Sequence, residues 1–209
     1  MNSTKRFVCF LWAIAAISAI GISRGQAAEF DFDDPKGVNS MVFVLDSTLE
    51  PIMGLANSIS GTVEFDPAQP EKMSGTIKVA AKSVKTSNKK MNDVLHGREW
   101  LNVKAFKTID FAIKSVTVDS KPEKDVYDLT ITGDFTLHGV TKELSVPVKV
   151  SYLPDKLGKR MRGKPGDLLV LRSQFTINRK DFGIKKGMSG MTVAEEIEIR
   201  ISVVGSYFK

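Results

Sequence analysis

The chain has 209 residues, of which 42% are apolar, 8% aromatic and 26% charged. That composition excludes wholesale disorder, a collagen and a coiled coil. Lysine and arginine outnumber the acids 30 to 24, but three of those cations and no acid fall in residues 1–27, so 28–209 carry only +3. So small a balance does not point to nucleic acid as a partner.

The first element is an address. Lys5 and Arg6 precede an uncharged run from Phe7 to Ile22, and small residues stand at Gly25 and Ala27. This three-part pattern predicts a secretory signal peptide over 1–27, cleaved after Ala27, with one domain over 28–209. At 16 residues the run is short for a spanning helix, which needs about 20. The only cysteine, Cys9, lies inside it. The exported chain then has no disulfide, thiolate metal site or cysteine nucleophile.

The rest reads as antiparallel β. Three early runs, Val38 to Leu45, Gly61 to Phe65 and Ser74 to Ala81, alternate loosely. One helix is expected over about Asn88 to Leu101, with Met91, Val94 and Leu95 on one side. Then come Ile109, Phe111 and Ile113 in alternation. The cleanest period-2 run follows: Tyr127, Leu129, Ile131, Gly133, Phe135 and Leu137. Leu144 to Val150, Leu169 to Ile177 and Ile197 to Val203 complete about eight strands. Short turns and one helix argue for an all-β barrel or sandwich. Gly133 suits a bend at a barrel corner, and Pro147 an edge or a bulge.

Few residues suggest chemistry. The two histidines are too few for a catalytic metal, and no nucleophile elbow or phosphate loop appears, so no catalytic residue, metal or cofactor is assigned. His138 reads as a turn residue bonded to backbone, and His96 as a helix end. Lys156 to Lys164 holds five cations between glycines and reads as an exposed turn. Its Lys159, Arg160 and Arg162 are the candidates for contact with anionic lipid head groups.

Several strings fall in order along the chain: Gly61-Thr-Val-Glu-Phe-Asp-Pro67, Ser83-Val-Lys-Thr-Ser-Asn88, Thr108-Ile-Asp-Phe111, Gly133-Asp-Phe-Thr-Leu-His-Gly-Val-Thr141 and Ile177-Asn-Arg-Lys-Asp-Phe-Gly-Ile184. The series resembles the YceI-like family of periplasmic, polyisoprenoid-binding proteins. The resemblance implies an eight-stranded antiparallel lipocalin-like barrel. It departs from the family after Asn88, where Met91, Asn92, Val94 and Leu95 replace an Arg-Asp-x-His-Leu pattern, and Trp100-Leu101 replace two phenylalanines.

The expected function is a periplasmic, non-catalytic carrier of a polyisoprenoid or quinone-like lipid, with a homodimer compatible. Its apolar contacts would be Trp100, Leu101, Phe111, Ile113, Phe135, Phe175 and Phe182. Phe135 is expected to behave as core and Trp100 as tunnel wall. The rivals are an enzyme acting on a small apolar substrate inside the barrel, and an interaction protein whose barrel is filled by its own side chains.

Overall fold

The computed structural model describes residues 27–209, so residues 1–26 of the expected signal peptide, Cys9 included, lie outside the described residues. Ten strand segments follow one another: β1 (Ala28–Asp31), β2 (Ser40–Asp46), β3 (Pro51–Ala56), β4 (Ile59–Phe65), β5 (Ser74–Ala80), β6 (Thr108–Glu123), β7 (Val126–Leu137), β8 (Val140–Leu153), β9 (Gly166–Asn178) and β10 (Glu196–Phe208). Helix α1 (Lys89–Leu95) interrupts them between β5 and β6.

The segments trace eight strand paths. β1 and β2 lie end to end along β10, with Asp31 opposite Ser206 and Ser40 opposite Ser202. β4 and β3 pair with them in turn, also end to end. Every neighbouring pair is antiparallel, and the β1–β10 contact closes the ring. The result is an up-and-down antiparallel barrel. β1 and β3 escape the sequence pattern for a physical reason. β1 has four residues and buries only Phe30, while in β3 the exposed Met53 and Leu55 put apolar groups on the outer face.

Where β1 and β2 part, a side chain repairs the ladder. Asn39 is buried; its Oδ1 accepts from the Val204 N–H at 2.8 Å, and its Nδ2 donates to Phe32 O at 2.9 Å and Val204 O at 3.2 Å. Asn39→Ala strands these buried backbone groups. Loss of roughly 2–4 kcal/mol in urea unfolding is expected. An unchanged midpoint would show that water replaces the amide.

Parity follows the pattern closely in β7, where every second residue from Tyr127 to Leu137 is buried. In β6 it switches. A bulge between Ile113 and Ser115 brings Val116 opposite Ile131, and the extra residue, Lys114, points out to Asp134 at 2.8 Å and Glu143 at 3.0 Å. Gly133 is required by close approach: a Cβ there would lie 2.7 Å from the Phe111 ring. Pro147 marks a seam, because the β8–β9 ladder runs only from Val148–Ser173 to Leu153–Leu168. Beyond it the strands part, and Ser173 Oγ donates to Pro147 O at 2.6 Å.

The two barrel ends differ. Connections 66–73, 124–125 and 154–165 meet at one end, where Phe30, Phe65, Tyr127 and Tyr152 fill the bore with ring centroids 5.6–6.2 Å apart. The phenols are tied outward, Tyr127 to Pro67 O and Tyr152 to Asp167, each at 2.8 Å. Burial, then the Asp167 carboxylate, pushes the Tyr152 phenol up to about 12. Its neutral form is favoured in the fold, so this stabilisation is full below the unfolded value of about 10 and is lost as pH rises through about 12. In a near-ultraviolet titration, Tyr152→Phe should remove a phenolate that forms near pH 12; an unchanged titration curve there would show that Asp167 and burial do not hold this phenol neutral.

The opposite end gathers 47–50, 81–107, 138–139 and 179–195. The expected helix is shorter here: α1 stops at Leu95, capped by Asn88, which accepts from Met91 N at 3.2 Å. Val94 is exposed rather than packed. Turns carry the chain on to Lys107.

Candidate ligand cavity

The barrel is solid at its aromatic end and hollow beyond it. Two adjoining cavities, of about 90 and 60 Å³, share Met41, Ile109, Phe135 and Ile199 as walls. Asp110 and Ser173 are the polar residues bordering the first; the second is bordered by apolar residues alone. Alternation places these walls, since inward positions of β2, β6, β7, β9 and β10 all meet here.

The expected contacts divide as follows. Phe111, Ile113 and Phe175 border the first cavity, Trp100 and Leu101 the second, and Phe135 both. Phe182 borders neither. It is buried behind Phe135, with ring centroids 5.5 Å apart, and its 3-10 turn meets β8 through Lys142–Asp181 at 3.5 Å. Phe182 therefore wedges the seam where β8 and β9 part. Phe135 also meets Phe175 edge-on at 6.1 Å, so it is core and cavity wall at once.

The second cavity has a cover built from 81–107 and 179–195. Trp100, Leu101 and Ile184 face the cavity, while their neighbours Arg98, Glu99, Gly183 and Lys185 line a polar cleft outside. Backbone tethers hold the cover in place. His96 caps α1, and its Nε2 lies 2.7 Å from Val84 O. His138, in the turn before β8, sets Nδ1 3.1 Å from Phe182 O and Nε2 3.3 Å from Arg98 O. Both histidines are thus helix-end and turn residues bonded to backbone. Ser47 Oγ accepts from Ala194 N at 2.7 Å, and Lys185 pairs with Glu99.

The main organiser is a residue that the sequence reading passed over. Arg179 is fully buried, and its guanidinium donates to the carbonyls of Ala194, Ile184, Lys185, Met188 and Val193 at 2.5–3.1 Å. An arginine in a turn looks solvated in sequence; only the loop wrapped round it gives it five acceptors.

The basic segment sits at the aromatic end, away from this cover. It is not wholly an exposed turn: Leu157–Arg160 form a single helical turn with Leu157 buried. Arg160 is turned inward to Asp34 at 2.5 Å, while Lys159 and Arg162 are exposed. Burial opposes the Asp34 charge, but the Val38 N–H and the Arg160 guanidinium hold its carboxyl below the usual carboxylate range. Among the described residues no three His, Cys, Asp or Glu side chains gather as a metal-binding group, and no helix is long and apolar enough to cross a membrane.

Comparison with known proteins gives the same architecture. The model of the YceI-like domain matches residues 34–205. A UPF0312 protein of Pseudomonas fluorescens is 30% identical over 191 residues, 90% of this chain and 94% of that protein. BcnA of Burkholderia cenocepacia superposes with a TM-score of 0.63 at 21% identity, over 79% of this chain and 95% of its own. A polyisoprenoid binding domain from Saccharophagus degradans superposes at 0.57 with 11% identity, over 87% and 99%. With a family match across nearly the whole barrel, the chain belongs to the YceI-like family.

Proposed function

We propose that the protein is a non-catalytic carrier for a long apolar lipid of the polyisoprenoid or quinone class, acting in the periplasm after removal of residues 1–27. The observation that carries this reading is the pair of adjoining apolar cavities beneath a tethered cover. A prenyl chain gains about 0.8 kcal/mol for each CH₂ taken from water into such walls. The walls offer no nucleophile and base in hydrogen-bonded partnership: Ser173 Oγ is engaged by Pro147 O, and Asp110 accepts from Thr108 at 2.9 Å. The likeness to the Saccharophagus polyisoprenoid binding domain supports the ligand assignment. The basic start, apolar run and Ala27 site support export.

Extraction of the purified protein with organic solvent, followed by mass spectrometry, tests the reading. A co-purifying prenyl lipid, or saturable uptake of an added quinone, is expected. Chemical turnover of the added lipid would make the protein an enzyme. Neither binding nor turnover would favour the interaction protein and overturn the carrier.

A further inference from the structure

The connections at both barrel ends are net positive, and those at the loop end more so. Segment 81–107 holds seven cations and two acids, 47–50 one acid, 138–139 no charge, and 179–195 four cations and two acids, a net +6. Counted the same way, connections 66–73, 124–125 and 154–165 at the aromatic end carry +3, and since residues 28–209 sum to +3 the remainder, chiefly the strands, carries −6. The difference is built by the up-and-down topology, which brings alternate connections to the same end. Much of it is presented to solvent: Lys89, Lys90, Lys104 and Lys186 are exposed, and none makes an ion pair among the described residues.

The same end carries exposed apolar tips. Leu49 is 63% and Met191 62% exposed, and the Leu49 N–H donates to Met191 O at 3.2 Å, so the two side chains stand on adjoining loops. Val94, on α1, is 56% exposed. Val94 stands one turn from Lys90 on α1, while Leu49 and Met191 adjoin in the chain a cleft lined by Asp46, Glu195, Glu196 and Glu198. Apolar tips at an end of net positive connections suit an interface whose outer layer is anionic and whose inner layer is hydrocarbon. A folded acidic protein would satisfy the lysines but gives the separate tips no common layer to enter.

We infer that the loop end, made of 47–50, 81–107, 138–139 and 179–195, docks on an anionic phospholipid surface, and that the basic segment 156–164 at the aromatic end does not. The inference rests on the carrier reading for its purpose, since this is the end whose cover closes the second cavity. The bore behind 156–164 is filled by Phe30, Phe65, Tyr127 and Tyr152. Seated by the loop end, the cover would meet the bilayer and its lipid chain would pass without crossing water.

Co-sedimentation of the full domain uses vesicles of phosphatidylcholine alone, or with one part in three phosphatidylglycerol. Wild type should bind the anionic vesicles only, and less as salt rises. Each cation near such a surface is worth about 1 kcal/mol, roughly fivefold. The triple change Lys89→Gln, Lys90→Gln, Lys186→Gln should therefore weaken binding at least about tenfold. Leu49→Ser with Met191→Ser should weaken it at unchanged charge. Lys159→Gln, Arg162→Gln and Lys164→Gln together should leave it within about twofold. All the changed residues are exposed, and circular dichroism and urea midpoints check that each variant is folded. Loss of binding in the second triple but not the first overturns the inference. So does absence of binding at low salt, which would leave the charged end to an acidic protein. Quinone uptake in detergent is read separately: uptake without vesicle binding rejects the docking and keeps the carrier, and vesicle binding without uptake does the reverse.

Discussion

Replacing Arg179 by methionine should be among the most damaging single changes in the barrel. The length of the side chain is kept, but five carbonyls within 3.1 Å lose their donors. Each buried polar group left unpaired costs about 1–3 kcal/mol, and local opening lets water recover part of that. A net loss of about 4 kcal/mol or more is expected in urea unfolding. The damage should be local first: amides of 183–194 should exchange with solvent much faster while those of β7 stay protected. Arg179→Lys should recover only part of the loss, since an ammonium has three donors and no planar fork. Equal urea midpoints for Arg179→Met and wild type would show that the guanidinium is not what organises the cover.

Phe135→Ala should come next. The ring is buried, packs edge-on against Phe175 and Phe182, and borders both cavities. Phenylalanine truncation in a core costs about 3–5 kcal/mol. The lower half of that range is expected, because part of the ring already faces open space. The change should also join the two cavities and remove wall from a bound chain, so quinone affinity falls with stability. Trp100→Ala should behave differently. Trp100 is half-buried and faces only the second cavity, so its loss should cost affinity more than stability. Both properties are read in parallel from urea unfolding and quinone titration. If Trp100→Ala is the more destabilising and leaves affinity unchanged, it is a structural plug rather than a cavity wall.

The barrel was legible in the order of residues alone. Strand pairing with one buried face imposes a period of two, and β7 displays that period without a break from Tyr127 to Leu137. The same parity put Phe111, Phe135 and Phe175 inside, and the family strings supplied the closure that alternation alone left open between barrel and sandwich. Parity states which face a side chain occupies but not what fills the space in front of it. Packing of four aromatic rings makes one end solid, while beyond it Phe111, Phe135, Phe175 and Trp100 line the space without filling it; that is a matter of summed volumes from distant strands. Partners distant in sequence were equally hidden. Asn39 completes a ladder with Val204, Arg160 turns in to Asp34, and Phe182 fills a seam that exists only because β8 residues before Val148 do not pair with β9. The charge followed the same rule: the lysines of 81–107 and 179–195 are separate runs in the chain, and the antiparallel turns of the strands bring them to one end.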